Sequence, residues 1–150
     1  MSFIVRAYED QDLPEIAEIE RISFSVPWSE EELARCAKLE NYRFFVVTEG
    51  DMAAGYAGIL TCLDEADVTT VAVRPEFRRR GMAEALMKAM IEYADEKEIR
   101  FIFLEVRESN EPAKALYRKL GFEPVGRRED YYEAPREAAI LMRLERRKVC

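Results

Sequence analysis

The chain of 150 residues contains no histidine. That absence excludes Ser-His-Asp and Cys-His nucleophile systems and every zinc site built on imidazole. Acid–base chemistry has to come from carboxylates, tyrosine, lysine, cysteine or water. Cysteine is scarce too: Cys36, Cys62 and Cys150 are odd in number and far apart, which argues against a disulfide framework and against clustered metal ligands. No metal is therefore expected. Cys62 falls in a strand pattern and reads as a buried apolar residue, Cys150 as an exposed terminal one. No apolar run approaches the ~18 residues of a membrane span. The N-terminal MSFIVRAYEDQD lacks the apolar core of a signal peptide. No membrane partner is expected, and the expected location is cytoplasmic.

What is present describes a globular chain: 49% of residues are apolar and 35% charged. The length suits one domain over residues 1–150, with a basic tail from about 145 to 150. The tail reads as a frayed end, with contact to ribosome or RNA left open. The net charge is -7, from 23 basic and 30 acidic residues. No direct nucleic-acid contact is expected of such a surface, and basic or amine-bearing substrates are favoured.

Residues 3–8 alternate as a first strand. Asp10 or Asp12 can cap a helix entered through Pro14, with Ile16, Ile19 and Ile22 spaced to face a core. Ser29 can cap a second helix that carries Glu30, Glu31 and Glu32 in its first turn, where the helix dipole favours acid. Strands follow at 42–49 and 52–63 around Gly50-Asp51, and at 66–75, stopped by Pro75. A long helix over 82–96 presents Leu86, Met87, Met90, Ile91 and Ala94 on one apolar face. Residues 100–106 are apolar on both faces up to Glu105, the pattern of a buried parallel strand. Asn110 can cap a short helix that ends at Gly121, and closing strands occupy 122–129 and 137–145. This order predicts an α/β fold, a mixed central sheet of about seven strands with helices on both faces.

Positive charge gathers in RPEFRRRG, residues 74–81, between a strand and the long helix. A helix N-terminus carries unpaired N–H groups and favours anions. Gly81 lets the backbone approach a ligand, and arginines supply forked donors suited to phosphate. The same residues also fit a solvated basic turn, and charge alone does not choose between the two. The pattern is neither a P-loop nor a G-x-G-x-x-G loop.

Arg78-Arg79-Arg80-Gly81-Met82-Ala83, following the strand VTTVAV at 68–73, resembles the acyl-CoA loop of the GNAT superfamily of N-acetyltransferases. LEVRESNEPAKALYRKLGF, residues 104–122, resembles the signature of its N-terminal protein acetyltransferases, most closely the type that modifies a ribosomal-protein alanine. PWS at 27–29 and the pair Tyr131-Tyr132 are similar to that type as well. The likeness runs from the first strand to about Leu144. The pattern departs after the tyrosine pair, where YYEAPREAAIL is shorter, lacks a glycine and has Ala138 in place of an aspartate.

The resemblance implies the GNAT fold, acetyl-CoA as co-substrate, and direct acyl transfer to the α-amine of a basic protein's N-terminal segment. That protein would be ribosomal, of the small subunit, with alanine first. It implies that the main chain of Val71, Ala72 and Val73 holds the pantetheine arm and the acetyl carbonyl. Arg78 and the amides of Arg79, Arg80, Gly81, Met82, Ala83 and Glu84 would hold the pyrophosphate, and Asn110 the CoA arm. Glu105 would be the general base and Tyr117 the general acid. Trp28, Tyr131 and Tyr132 would line the peptide groove.

The residues keep plainer readings open beside these. Glu105 ends an apolar strand, where desolvation favours a base; it could equally form an ion pair with Arg107. Tyr117 fits a core position, the tyrosine pair a packed loop, and Trp28 a helix-start staple. Acetylation of a lysine or of a small-molecule amine, and non-catalytic acyl-CoA binding, remain the alternative functions.

Overall fold

A computed structural model describes residues 2–146; Cys150 and the end of the basic tail lie outside the described residues. Seven strands form one sheet: β1 (Ile4–Ala7), β2 (Tyr42–Glu49), β3 (Met52–Cys62), β4 (Glu65–Val73), β5 (Phe101–Arg107), β6 (Glu123–Tyr132) and β7 (Glu137–Glu145). Four α-helices connect them: α1 (Leu13–Ser23), α2 (Glu30–Ala37), α3 (Met82–Glu96) and α4 (Glu111–Lys119). The strand order is β1-β2-β3-β4-β5-β7-β6, and β4–β5 is the parallel pair.

Local chemistry sets the element starts. Ser29 and Glu32 form a reciprocal capping box at α2, each side chain accepting from the other's backbone N–H at 3.1 Å. The Asn110 side chain caps α4 by accepting from Ala113 N at 3.2 Å. Asp12 precedes α1, but its side chain does not cap that helix. Its carboxylate accepts from both terminal nitrogens of Arg6, at 2.7 and 2.8 Å, and from Glu9 N at 2.8 Å. Arg6 therefore holds the Asp12 carboxyl below the usual carboxylate range.

The helices cover both faces of the sheet. Ile16, Ala17, Ile19 and Leu33 of α1 and α2 pack with Phe44, Val46 and Tyr56 in one buried cluster. Met82, Leu86, Met87 and Met90 of α3 pack with Ile59, Ile102, Leu104 and Met142 in the other. Four expectations change. Ile22 points outward, 51% exposed, because Glu20 takes the inward position at the end of α1. Cys62 is exposed, since it ends β3 at the turn into β4. β4 stops at Val73, and Pro75 opens a single 3-10 turn, Pro75–Phe77. The β5 strand is parallel on one edge only; its other edge pairs antiparallel with β7 over its whole length. Its burial is one-sided: Ile102, Leu104 and Val106 pack in the α3 cluster, and Phe101 and Phe103 on the other face are half-buried.

The parallel pairing positions the site. β4 and β5 are in register only at Glu65–Phe101, Ala66–Ile102 and Asp67–Phe103. Beyond Asp67 the two strands separate. A bulge in β4 helps: Gly58 pairs with Thr70 and Ile59 with Val68, so Thr69 is the extra residue, and such bulges bend and twist a strand. Gly55 of β3 keeps this region close-packed, because a Cβ there would lie 2.6 Å from the Ala72 carbonyl oxygen.

Candidate active site

The separation of β4 from β5 opens a cleft of ≈ 720 Å³. Its walls come from five places: the end of α1 and the loop after it, β4 at Val68–Val71, β5 at Leu104–Arg107, α4 with its cap Asn110, and the β6–β7 hairpin. Val71, Glu105, Asn110, Tyr117, Trp28, Tyr131 and Tyr132 all line this one cleft. Residues far apart in the chain are thus brought together. Ala72 and Val73 continue β4 away from the cleft, and residues 78–84 form the loop into α3.

Glu105 occupies the β5 face opposite the one packed on α3. Its Oε2 atom is buried and has no hydrogen-bond partner among the described residues. The expected alternative, an ion pair with Arg107, does not form. Arg107 Nη1 pairs instead with Glu137 at 3.3 Å and donates to the Pro135 carbonyl at 2.9 Å, while Nη2 donates to the Glu133 carbonyl at 3.1 Å. Its guanidinium lies 4.5 Å from the Tyr132 ring centroid. Arg107 is thereby committed to holding the β6–β7 hairpin against β5.

Tyr117 sits on α4, its ring edge-on to Phe122 at 6.0 Å. Burial pushes its phenol up to about 12, so it keeps its proton through neutral pH. Tyr132 is pushed up to about 12, first by burial and then by the negative charge of Glu105. Tyr131 is raised by the same two causes in the same order. Both tyrosines belong to the end of β6 rather than to a loop, their rings edge to face at 5.0 Å. Trp28 both packs on the α1–α2 core cluster and lines the cleft.

The arginine loop resolves into separate parts. Gly81 is the N-cap of α3 at φ +82°, with no side-chain cap on the helix. Arg79 also has a positive φ, +64°. Together they turn the chain into α3, whose first N–H groups have no side-chain cap, and no atom lies within 4 Å of a Cβ built on Gly81. Free amides at a helix start beside Arg78 fit an anionic group such as a pyrophosphate. Arg78 Nε donates to the Val73 carbonyl at 3.2 Å, which carries its guanidinium back along β4. Arg80 does not simply face solvent: it pairs with Glu49 and lies over the Phe77 ring. Met82 is a core residue, leaving only its main chain for a ligand.

Four cleft residues, Glu20, Ser23, Ser25 and Thr70, carry no mark in the sequence analysis. Glu20 is 5% exposed; its carboxylate accepts from the Tyr56 hydroxyl and from Trp28 N at 3.0 Å. The signal for it was an acid on the inward stripe with Ile16 and Ile19. Ser23 and Thr70 also line the cleft, and nothing in their surroundings in the sequence marks them. Ser25 Oγ donates across the cleft mouth to the Glu133 carbonyl at 3.3 Å.

The family model of the acetyltransferase (GNAT) family matches residues 13–122. A protein of Bacillus subtilis (strain 168) is 39% identical over 140 residues, covering 92% of both chains. The ribosomal protein bS18-alanine N-acetyltransferase of Escherichia coli (strain K12) is 36% identical over 142 residues, covering 93% of this chain and 95% of that one. The crystal structure of the ribosomal-protein-S18-alanine N-acetyltransferase from Escherichia coli superposes with a TM-score of 0.91 at 34% identity, covering 99% of this chain and 97% of that one. A seven-stranded mixed sheet opened between β4 and β5, matched over most of the chain by these relatives, makes this protein a member of the GNAT family of acetyltransferases.

Proposed function

We propose that the protein transfers the acetyl group of acetyl-CoA to the N-terminal α-amine of a small-subunit ribosomal protein that begins with alanine. One observation carries the reading. The β4–β5 opening puts a carboxylate with a buried, unpartnered oxygen, Glu105, and a protonated phenol, Tyr117, in the same cleft as the free edge of β4. The relatives named for the bS18 alanine support the choice of acceptor. With a ribosomal protein as acceptor, the enzyme works in the cytoplasm.

Acetyl-CoA supplies the acylating thioester. The chain's own residues do the rest. The main chain of Val71, Ala72 and Val73 holds the pantetheine arm and offers N–H groups to the acetyl oxygen as it gains charge. Arg78 and the amides of Arg79, Arg80, Gly81, Met82, Ala83 and Glu84 take the pyrophosphate at the start of α3. Asn110 spends its side-chain oxygen on the α4 cap and keeps its amide nitrogen for the CoA arm. Glu105, acting through water, takes the proton of the attacking amine. Tyr117 gives its proton to the departing thiolate, a role for which a phenol held in its neutral form is suited.

Little base strength is needed: an α-amine has a reference pKa of ~7.7–8.0 against ~10.4 for lysine, so it is partly neutral at cell pH. Trp28, Tyr131 and Tyr132 wall the groove that receives the peptide.

Release of CoA thiol against a peptide panel tests the proposal. A basic peptide with free N-terminal alanine is turned over in preference to its N-blocked form, to lysine side chains and to small amines. Glu105→Gln and Tyr117→Phe lose turnover while still binding acetyl-CoA. Equal turnover by both variants and wild type rejects the catalytic assignment.

A further inference from the structure

Among the described residues, three buried side-chain oxygens have no hydrogen-bond partner: Ser23 Oγ, Thr70 Oγ1 and Glu105 Oε2. All three line the one cleft between β4 and β5. A buried polar atom without a partner costs stability, and native interiors hold few of them. The same protein satisfies other demanding groups, on the cleft wall and away from it. The buried Glu20 carboxylate takes donors from Tyr56 and Trp28, and buried Arg74 reaches the Ala53 carbonyl at 2.8 Å and pairs with Glu18. The confinement of the unpartnered atoms to one cleft therefore marks where a polar ligand completes the bonding.

The three atoms come from different elements: the last residue of α1, the strand residue beside the β4 bulge, and β5. Glu105 is assigned above to the attacking amine. The two hydroxyls have no part in that assignment, nor in the CoA-binding residues. A hydroxyl both donates and accepts, and the start of a peptide offers both kinds of partner close together, its amine hydrogens and its first carbonyl oxygen. Thr70 adjoins Val71, on the strand edge where acyl transfer is placed. Ser23 faces it from α1, next to the loop that carries Trp28.

We propose that Ser23 and Thr70 form a subsite for the first peptide unit of the acceptor, Thr70 accepting from the amine and Ser23 donating to the first carbonyl. This deepens the proposed function and rests on it. The subsite selects an α-amine by its neighbouring carbonyl, which a lysine side chain or a simple amine does not carry at that distance. Thr70 and Ser23 act as positioning groups for the amine that Glu105 deprotonates.

The test uses Thr70→Val, which is nearly isosteric, and Ser23→Ala in the full chain. The acceptor is a basic peptide with free N-terminal alanine. The expected result has three parts. kcat/KM for the peptide falls about 3- to 10-fold in each variant, the loss of one ordinary hydrogen bond. Acetyl-CoA affinity, by titration, stays within about twofold. The thermal midpoint is unchanged or higher for Ser23→Ala, which removes a buried hydroxyl without a partner, and falls at most slightly for Thr70→Val, whose hydroxyl lies near that of Tyr56.

A lower midpoint with peptide kinetics unchanged makes the hydroxyls packing elements and overturns the subsite. Wild-type kinetics in both variants, with wild type active on the α-amine peptide, overturns the subsite alone. No turnover of any α-amine peptide by wild type overturns the proposed function, and the subsite falls with it.

Discussion

Around Arg74, and at Glu20 on the cleft wall, buried polar groups are answered by the protein itself; at Glu105, Ser23 and Thr70, in the same cleft as Glu20, one oxygen of each is not. Arg74 is 8% exposed, with its Nε on the Ala53 carbonyl, its terminal nitrogen on Glu18, and its backbone N–H on Ala54. Glu20, which lines the cleft, takes donors from Tyr56 of β3 and from Trp28 in the loop after α1. Within the cleft, Glu105, Ser23 and Thr70 each carry an oxygen with no such partner. The contrast separates two uses of polarity under burial. Satisfied groups rigidify and specify the fold. Unsatisfied ones are a stability cost and mark a candidate binding site.

The comparison is tested most strongly by exchanging its extremes. Glu105→Gln lowers kcat by about 10²- to 10⁴-fold, the usual worth of a positioned base, while urea unfolding shows stability unchanged or raised. Arg74→Met does the reverse. It costs about 1–3 kcal/mol in urea unfolding through the lost charged hydrogen bonds, and leaves kcat and acetyl-CoA affinity within about twofold. A Glu105→Gln protein that is much less stable, or an Arg74→Met protein that is inactive while folded, would erase the distinction.

At the α3 start, Gly81→Val weakens acetyl-CoA binding more than Arg78→Ala in titration. The open space around Gly81 changes the reason for this order: the residue is glycine because of its left-handed backbone, which costs other residues about 1–2 kcal/mol. Arg78→Ala removes one charged contact and weakens binding by about 3- to 10-fold; a larger loss for Arg78 than for Gly81 would restore a purely electrostatic loop.

The smallest effect is in alkaline stability. Tyr117 has a folded pKa of about 12 against an ordinary 10.0. The unfolded chain therefore releases this proton first. Stability from Tyr117 is fully present below pH 10.0 and is lost progressively between pH 10.0 and about 12. Tyr117→Phe makes the fall in unfolding free energy over that window shallower; an identical slope would show that Tyr117 is not buried as described.

Much of the candidate site lies in contiguous motifs that a local reading can find. Asn110 before a short amphipathic helix, Ser29 with Glu32, and the arginine-glycine loop before α3 are each specified within a few residues. Glu105 was legible as a lone acid closing an apolar run. Arg107 was legible as a residue, but its partners were not, because Glu133, Pro135 and Glu137 come from a hairpin more than twenty residues away. Cys62 was misjudged for a related reason: alternation marks a strand without saying where the covering helices stop.

The sequence by itself determined the elements, their caps, the αL glycine that starts α3 and the chemical types available for catalysis, since those depend on periodicity, backbone preference and side-chain identity. Only the tertiary structure decided that β4 and β5 pair for three residues and then part. It also decided that Arg107 turns away from Glu105, and that Ser23, Thr70 and Glu105 meet in one cleft without partners of their own. Strand divergence follows from a bulge and from packing on two faces, and hydrogen-bond satisfaction from residues distant in the chain. Neither is encoded in a local pattern.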